Sequence, residues 1–179
     1  FTPSEQQTIF RMAESKSPTL DSTNRWDGNN KAIVFGEELF FSELLSPSGI
    51  ACSTCHDPTM GFSDGFKNSE GTGITERHSP TLFASANGTW FRWDGGCDSL
   101  WCQAIGPIEH PNEMNSSRGD LAKTIFNTPE LRSQYEDLFG DMPDFSTLQT
   151  PAKPDEEDLL ANENWNDLPE EVQTQITQV

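Results

Sequence analysis

The residues best equipped for chemistry are two cysteines and a histidine in the run Cys52-Ser53-Thr54-Cys55-His56. Cysteines three apart lie on one helical turn, so both sulfurs can bond the two vinyl groups of one porphyrin, and the adjacent histidine can reach its iron as an axial ligand. This is the spacing of covalent haem c attachment. Two other uses of C-x-x-C compete with it. A thioredoxin-type dithiol does not need the histidine and expects a strand context that is missing here. A four-ligand zinc site would have to recruit Cys97 and Cys102, whose spacing suits zinc knuckles poorly. Haem c is attached outside the bacterial cytoplasm, where disulfides also persist, so a periplasmic, extracellular or cell-surface location is expected.

Cys97 and Cys102 are the remaining pair. An ideal helix would hold residues at that separation beyond disulfide reach. Gly95-Gly96 precedes Cys97 and Ser99 can cap the next helix, which would leave Cys97 in a turn outside it. A bridge is then feasible; two buried thiols are the alternative.

The elements that must position these residues read as helices. Apolar residues Ile33, Val34, Phe35, Leu39, Phe40 and Phe41 recur at helical intervals from Lys31 to Leu45, and Pro47-Ser48-Gly49 ends the run just before the motif. Ser99 to Ile105 is helical again. Ser117-Arg118-Gly119-Asp120 fits a capping box ahead of Leu121 and Ile125, and Thr128-Pro129 supplies a cap and an N1 proline before Leu131 and Tyr135, with Gly140 as the stop. Between Pro58 and Asn87, Gly, Ser, Thr and Asn are dense and no period survives, which predicts a long ordered loop of functional use. Residues 1–30 read as a polar N-terminal extension with one short helix near Ser4 to Glu14. After Gly140 the packing residues thin out, and 149–179 reads as an acidic linker with one weak helix near Asp167 to Ile176. No strand alternation or internal repeat is found. The expected fold is mainly α, a cytochrome c-like helical domain over 31–148 around one covalent haem, with long ordered loops.

The 179 residues carry a formal charge of -18, which argues against nucleic acid because the field would repel phosphates. From Asp141 onward Lys153 is the only basic residue, so the acidity is concentrated there: a solvated surface, or a docking face for a basic redox partner. No stretch approaches a membrane span, and Phe1 in place of Met suggests a processed chain whose export signal has been removed.

F-G-E-E-L-F-F-S-E-L-L-S before the motif, C-S-T-C-H-D-P-T-M-G-F-S-D-G through it, then R-H-S-P-T-L, F-R-W-D-G and Q-A-I-G-P-I-E-H-P-N-E-M resemble, in this order, the N-terminal haem domain of bacterial di-haem cytochrome c peroxidases and their MauG-like relatives. The resemblance covers roughly Asp21 to Leu148. It implies that His56 is the proximal ligand of a peroxide-reactive haem held by Cys52 and Cys55. It implies too that Gln103 and Glu113 are the distal pair, with Glu113 as acid/base, and that Trp93 lies between two haems as an electron relay. Without the resemblance, Glu113 would read as a surface carboxylate, Trp93 as core and Gln103 as a helix-surface residue.

Four departures qualify the resemblance. Glu70-Gly71-Thr72-Gly73-Ile74 lacks the movable histidine that many family members carry after the haem motif, so an open sixth position is expected; His78 and His110 could substitute, though a structural role suits both better. Arg77-His78-Ser79-Pro80-Thr81 has histidine where the family supplies asparagine to calcium, and imidazole is a poor ligand for that cation, which argues against calcium here. Trp93-Asp94-Gly95-Gly96 has lost the family's arginine. Finally, no second C-x-x-C-H is present further along, so the second haem is expected from a missing domain or another subunit.

The expected activity is an oxidoreductase reacting with hydrogen peroxide, its electrons coming from a small cytochrome c, a cupredoxin or a protein substrate. The alternative is a mono-haem electron-transfer module, which would fill both axial positions of the iron where catalysis needs one exchangeable. A haem-bearing scaffold without redox turnover is a third possibility.

Overall fold

The computed structural model describes residues 1–13 and 21–177. Eight α-helices are present among them: α1 (Pro3–Ala13), α2 (Asn30–Phe41), α3 (Cys52–Cys55), α4 (Leu100–Glu109), α5 (Arg118–Asn127), α6 (Pro129–Phe139), α7 (Leu159–Asn166) and α8 (Glu170–Ile176). Extended pairing among the described residues is confined to three isolated bridges, so the chain is helical with long irregular connections, as its sequence predicts. The helix expected near Ser4 to Glu14 is α1; Glu14 itself lies outside the described residues.

The core forms where amphipathic faces meet. Phe35 of α2, Leu121, Ala122 and Ile125 of α5, and Leu131 and Tyr135 of α6 are buried together with Leu45 and Met114. The i, i+3, i+4 spacing of these residues puts each set on one face of its helix. Ile50 and Cys52 pack against this cluster, so the first cysteine of the motif is anchored to the core. Ser46 fastens the approach to the motif from the side, its buried hydroxyl donating to Met114 O at 2.6 Å.

The N-cap half of the capping box read at Ser117 is present, while the Asp120 carboxylate bonds the Ser117 hydroxyl in place of its backbone amide. Ser117 Oγ accepts from Asp120 N at 3.1 Å and donates to Asp120 Oδ2 at 2.6 Å. Thr128 occupies the N-cap position of α6, but its hydroxyl donates back to Thr124 O at 2.8 Å and makes no cap bond. Gly140 ends α6 at φ 88, a left-handed backbone that a side chain would disfavour.

The reading of 149–179 as an open linker is corrected. Ala152, Ala161, Trp165 and Ile176 are all buried, and Ala152, Trp165 and Ile176 join the main core. Two features of α5 hold this segment. Ser117 Oγ also accepts from Ala152 N at 3.0 Å, and Gly119 N donates to Ala152 O at 3.0 Å. Gly119 is required there by space, because a Cβ would sit 2.7 Å from that of Ala152. The Arg118 guanidinium lies 5.3 Å from the Trp165 ring centroid, a cation–π contact across the same seam. The N-terminal segment also packs: Trp26 meets Phe139 edge-on at 5.0 Å.

Candidate functional site

Helix α3 consists of Cys52–Cys55 alone, with His56 as its C-cap. Thr54 Oγ1 accepts from Ala51 N at 3.1 Å, and His56 N donates to Cys52 O at 3.0 Å, so the single turn is closed at both ends. Both cysteines are unpaired and partly buried on that turn. Burial pushes the Cys52 thiol above its ordinary pKa. The Cys55 thiol is pushed up first by burial and then by the negative charges of Asp64 and Glu113.

The histidine is oriented by the turn on its C-terminal side. Gly61 and Phe62 adopt successive left-handed conformations, φ 70 and φ 59, and Phe62 N donates to Asp57 O at 2.8 Å. The chain thereby doubles back, and the Phe62 carbonyl lies 3.1 Å from His56 Nδ1. A carbonyl can only accept, so Nδ1 carries the proton and Nε2 keeps its lone pair for a metal. A non-glycine residue held at positive φ is uncommon and marks a constrained site. Phe62 sits in an aromatic row, edge-on to Phe83 at 5.5 Å and to Phe40 at 6.4 Å.

Ser79 joins the loop to the motif. Its hydroxyl donates to Cys55 O at 2.6 Å and accepts from Asp64 N at 3.1 Å, while its carbonyl accepts from Ser63 Oγ at 2.8 Å. Sequence reasoning did not single out Ser79; its signal was limited to a place inside the matched R-H-S-P-T element.

Cys97 and Cys102 form a disulfide with Cα atoms 5.6 Å apart. Cys97 lies outside α4, paired with Phe91 in a short bridge, and Ser99 caps the helix by accepting from Cys102 N. The turn geometry that made a bridge feasible is therefore realised. Gln103 comes directly after it, half-buried on α4. Glu113 lies in the turn after that helix, where Met114 N donates to Pro107 O and Glu113 N to His110 O, both at 3.1 Å. Its carboxylate is half-exposed, 3.5 Å from His110 Nδ1 and close enough to Cys55 to raise that thiol's pKa. The neighbouring Met114 O accepts from Ser46 Oγ at 2.6 Å, which ties the Glu113 turn to the segment that leads into the motif. Trp93 is 82% exposed, which excludes a core role, and the Arg77 guanidinium lies 4.9 Å from its ring centroid. Arg92, also not foreseen, adopts φ 64 and lays its guanidinium on α4 at Gly106, where a Cβ would meet Nη2 at 2.5 Å. His78 is engaged with Ser79 O at 3.2 Å.

The family model described as di-haem cytochrome c peroxidase matches residues 30–158. The chain belongs to this family. The methylamine utilization protein MauG of Methylorubrum extorquens is 39% identical over 111 residues, 60% of this chain and 31% of that protein. Cytochrome c551 peroxidase of Nitrosomonas europaea is 34% identical over 115 residues, 63% of this chain and 34% of that one. The di-haem peroxidase BthA of Burkholderia thailandensis superposes with a TM-score of 0.59 at 23% identity, covering 90% of this chain and 41% of BthA; that likeness carries the fold alone. The chain spans about a third of the length of the curated relatives it matches.

Membership in the di-haem peroxidase family implies haem c, and the donor set fits it. Two thiols on one turn and an imidazole with a free Nε2 are what covalent attachment and axial ligation require. In the loop that follows the motif Met60, Phe66 and Phe83 are each more than half exposed, apolar surface of the kind a bound porphyrin would cover. No helix among the described residues is long and apolar enough to cross a membrane.

Proposed function

We propose that this domain carries the peroxide-reactive haem of a MauG-like di-haem peroxidase, with the electron-storing haem brought by a further domain or subunit. Cys52 and Cys55 would hold the porphyrin through thioethers, and His56 Nε2 would ligate its iron. Haem c, when bound, supplies a redox-active iron at which the O–O bond of hydrogen peroxide is cleaved. Heterolysis also needs a proton taken from one oxygen and delivered to the other, and the Glu113 carboxylate can do both. Gln103 would orient the peroxide through its side-chain amide. Trp93 would pass electrons from the second haem, its exposed indole being large and oxidisable, with Arg77 holding the ring in place. The reducing substrate would be a small cytochrome c, a cupredoxin or a protein side chain, met in the periplasm or at the cell surface. The substitution of His78 into the family's calcium element leaves calcium out of this proposal.

The observation that carries the reading is the family match over residues 30–158 around the motif, with the Glu113 turn tied to the segment leading into the motif by Ser46 Oγ, which donates to Met114 O at 2.6 Å. The test is Glu113→Gln in the haem-loaded, full-length protein, with peroxide consumption followed by stopped-flow absorbance. The expected result is intact haem attachment and a reaction slower by ~10² or more. An unchanged rate removes Glu113 from the mechanism. A wild-type protein that does not react with peroxide at all would leave the electron-transfer module as the better reading.

A further inference from the structure

Among the described residues the Glu113 side chain has one close polar neighbour, His110. The Glu113 side chain is 37% exposed, and the ring nitrogen Nδ1 of His110 lies 3.5 Å from the carboxylate. The backbone at this position is held from across the loop. Thr72 N donates to Glu113 O at 2.8 Å and Gly73 N donates to Asn112 O at 3.0 Å, so the tip of the 69–77 hairpin sits directly on the peptide units that carry the carboxylate.

The tip is itself closed. Gly71 N donates to Gly73 O at 2.9 Å, Glu70 pairs with Ile74, and Thr75 N donates to Ser69 O at 2.9 Å. Ser69 N returns to Arg77 O at 3.2 Å, and two residues later Ser79 donates to Cys55 O. A short series of hydrogen bonds and covalent links therefore connects the carbonyl of the second cysteine to that of Glu113.

Both glycines are there for space, since neither has a positive φ. A Cβ on Gly71 would lie 2.6 Å from Asn112 O, 2.7 Å from Glu113 O and 2.9 Å from Glu113 Cα, all backbone atoms that cannot turn aside. On Gly73 its three nearest neighbours would all be Asn112 side-chain atoms, with Oδ1 at 2.7 Å. The two positions thus make different predictions.

We infer that the Gly71-Thr72-Gly73 tip is a positioning element that sets Glu113 against the haem face. This rests on the reading of Glu113 as the acid/base. Proton transfer works only within hydrogen-bond reach, and a displacement of ~1 Å can cost ~10²-fold in rate. An alanine at 71 must push the turn back by a comparable distance.

The experiment is a mutant cycle on the haem-loaded, full-length protein, read by the rate of the peroxide reaction and by amide exchange at residues 72 and 73. Gly71→Ala is expected to slow the reaction by ~10- to 10²-fold. In a Glu113→Gln background it should add less than about twofold, because groups acting as one unit are non-additive. Gly73→Ala should cost only a fewfold, and Asn112→Ala should restore it, since that change removes the atom in the way; Asn112→Ala should not rescue Gly71→Ala. The amides of Thr72 and Gly73 should be protected in the wild type and exchange at least about tenfold faster in Gly71→Ala, with the Ile125 amide unchanged.

Equal slowing by Gly71→Ala in both backgrounds overturns the positioning role while leaving Glu113 catalytic. Unprotected wild-type amides at 72 and 73 overturn it too. If Glu113→Gln alone leaves the rate intact, the acid/base reading fails and the positioning role falls with it, an outcome distinct from the other two. Should Gly71→Ala not load haem, the Gly73→Ala and Asn112→Ala pair decides by rescue or its absence.

Discussion

Around Ile125 and Tyr135 the chain hides its side chains almost completely, at 0% and 2% exposure, whereas in the loop after His56 it leaves Met60 and Phe83 more than half exposed. The first region is built from helix faces and is held by apolar burial. The second has few buried apolar residues and is held by short hydrogen bonds from hydroxyls and backbone amides, by closed turns and by one disulfide. The side chains of the helical core bury one another. The woven region has a defined backbone but an apolar surface still to be covered, which suits a seat for a large flat ligand.

This contrast can be broken at its strong side first. Trp165→Ala is expected to lower unfolding free energy by about 3–5 kcal/mol, by the usual cost of emptying a buried tryptophan site, measured by denaturant titration. A loss under about 1 kcal/mol would mean that the acidic C-terminal segment is not part of the core after all. Ile125→Ala should cost about 2–5 kcal/mol, and by the same amount with and without haem, because the residue belongs to the region that does not wait for it.

On the woven side, Ser79→Ala leaves the Cys55 carbonyl and the Asp64 amide without their partner and should cost about 1–3 kcal/mol. Faster exchange of the Asp64 amide, with unaltered protection in α5 and α6, would locate that loss in the loops; uniform loss everywhere would show the two regions to be one cooperative unit. Smallest of all, Lys31→Ala removes a surface ion pair to Asp137 at 2.7 Å whose two side chains are 63% and 66% exposed. The expected change is at most ~1 kcal/mol and vanishes in high salt, so a larger one would mean that α2 and α6 depend on more than their apolar faces.

Legibility in the sequence divides along the same line. Ser117 with Asp120, Pro129, Gly140 and the Ser99 cap announce helix ends through local chemistry, and local chemistry is readable from a few neighbouring letters. The haem motif is local in the same sense. The C-terminal docking was hidden because its anchors, Ala152, Trp165 and Ile176, are sparse and lie among carboxylates that dominate the composition. Their receptor on α5 is marked by Gly119, by the second bond of Ser117 and by Arg118 over Trp165, none of which shows in periodicity. The loop over 58–87 was legible as ordered but not as to how, since its bonds join residues far apart in sequence: Ser79 to Cys55, Thr72 to Glu113. Gly71 reads as a flexible residue in a string of letters, and only the backbone pressed against it reveals that it is a spacer.

The Cys97–Cys102 bridge also bears on a sorting problem during maturation. Four cysteines can pair in three complete ways, and in an oxidising compartment any of them would compete with haem attachment, which needs Cys52 and Cys55 as free thiols. Cys97 is 2% exposed within its turn and already committed to a neighbour on the next helix. Early closure of that pair would withdraw two thiols from exchange and leave the motif cysteines only each other as rivals.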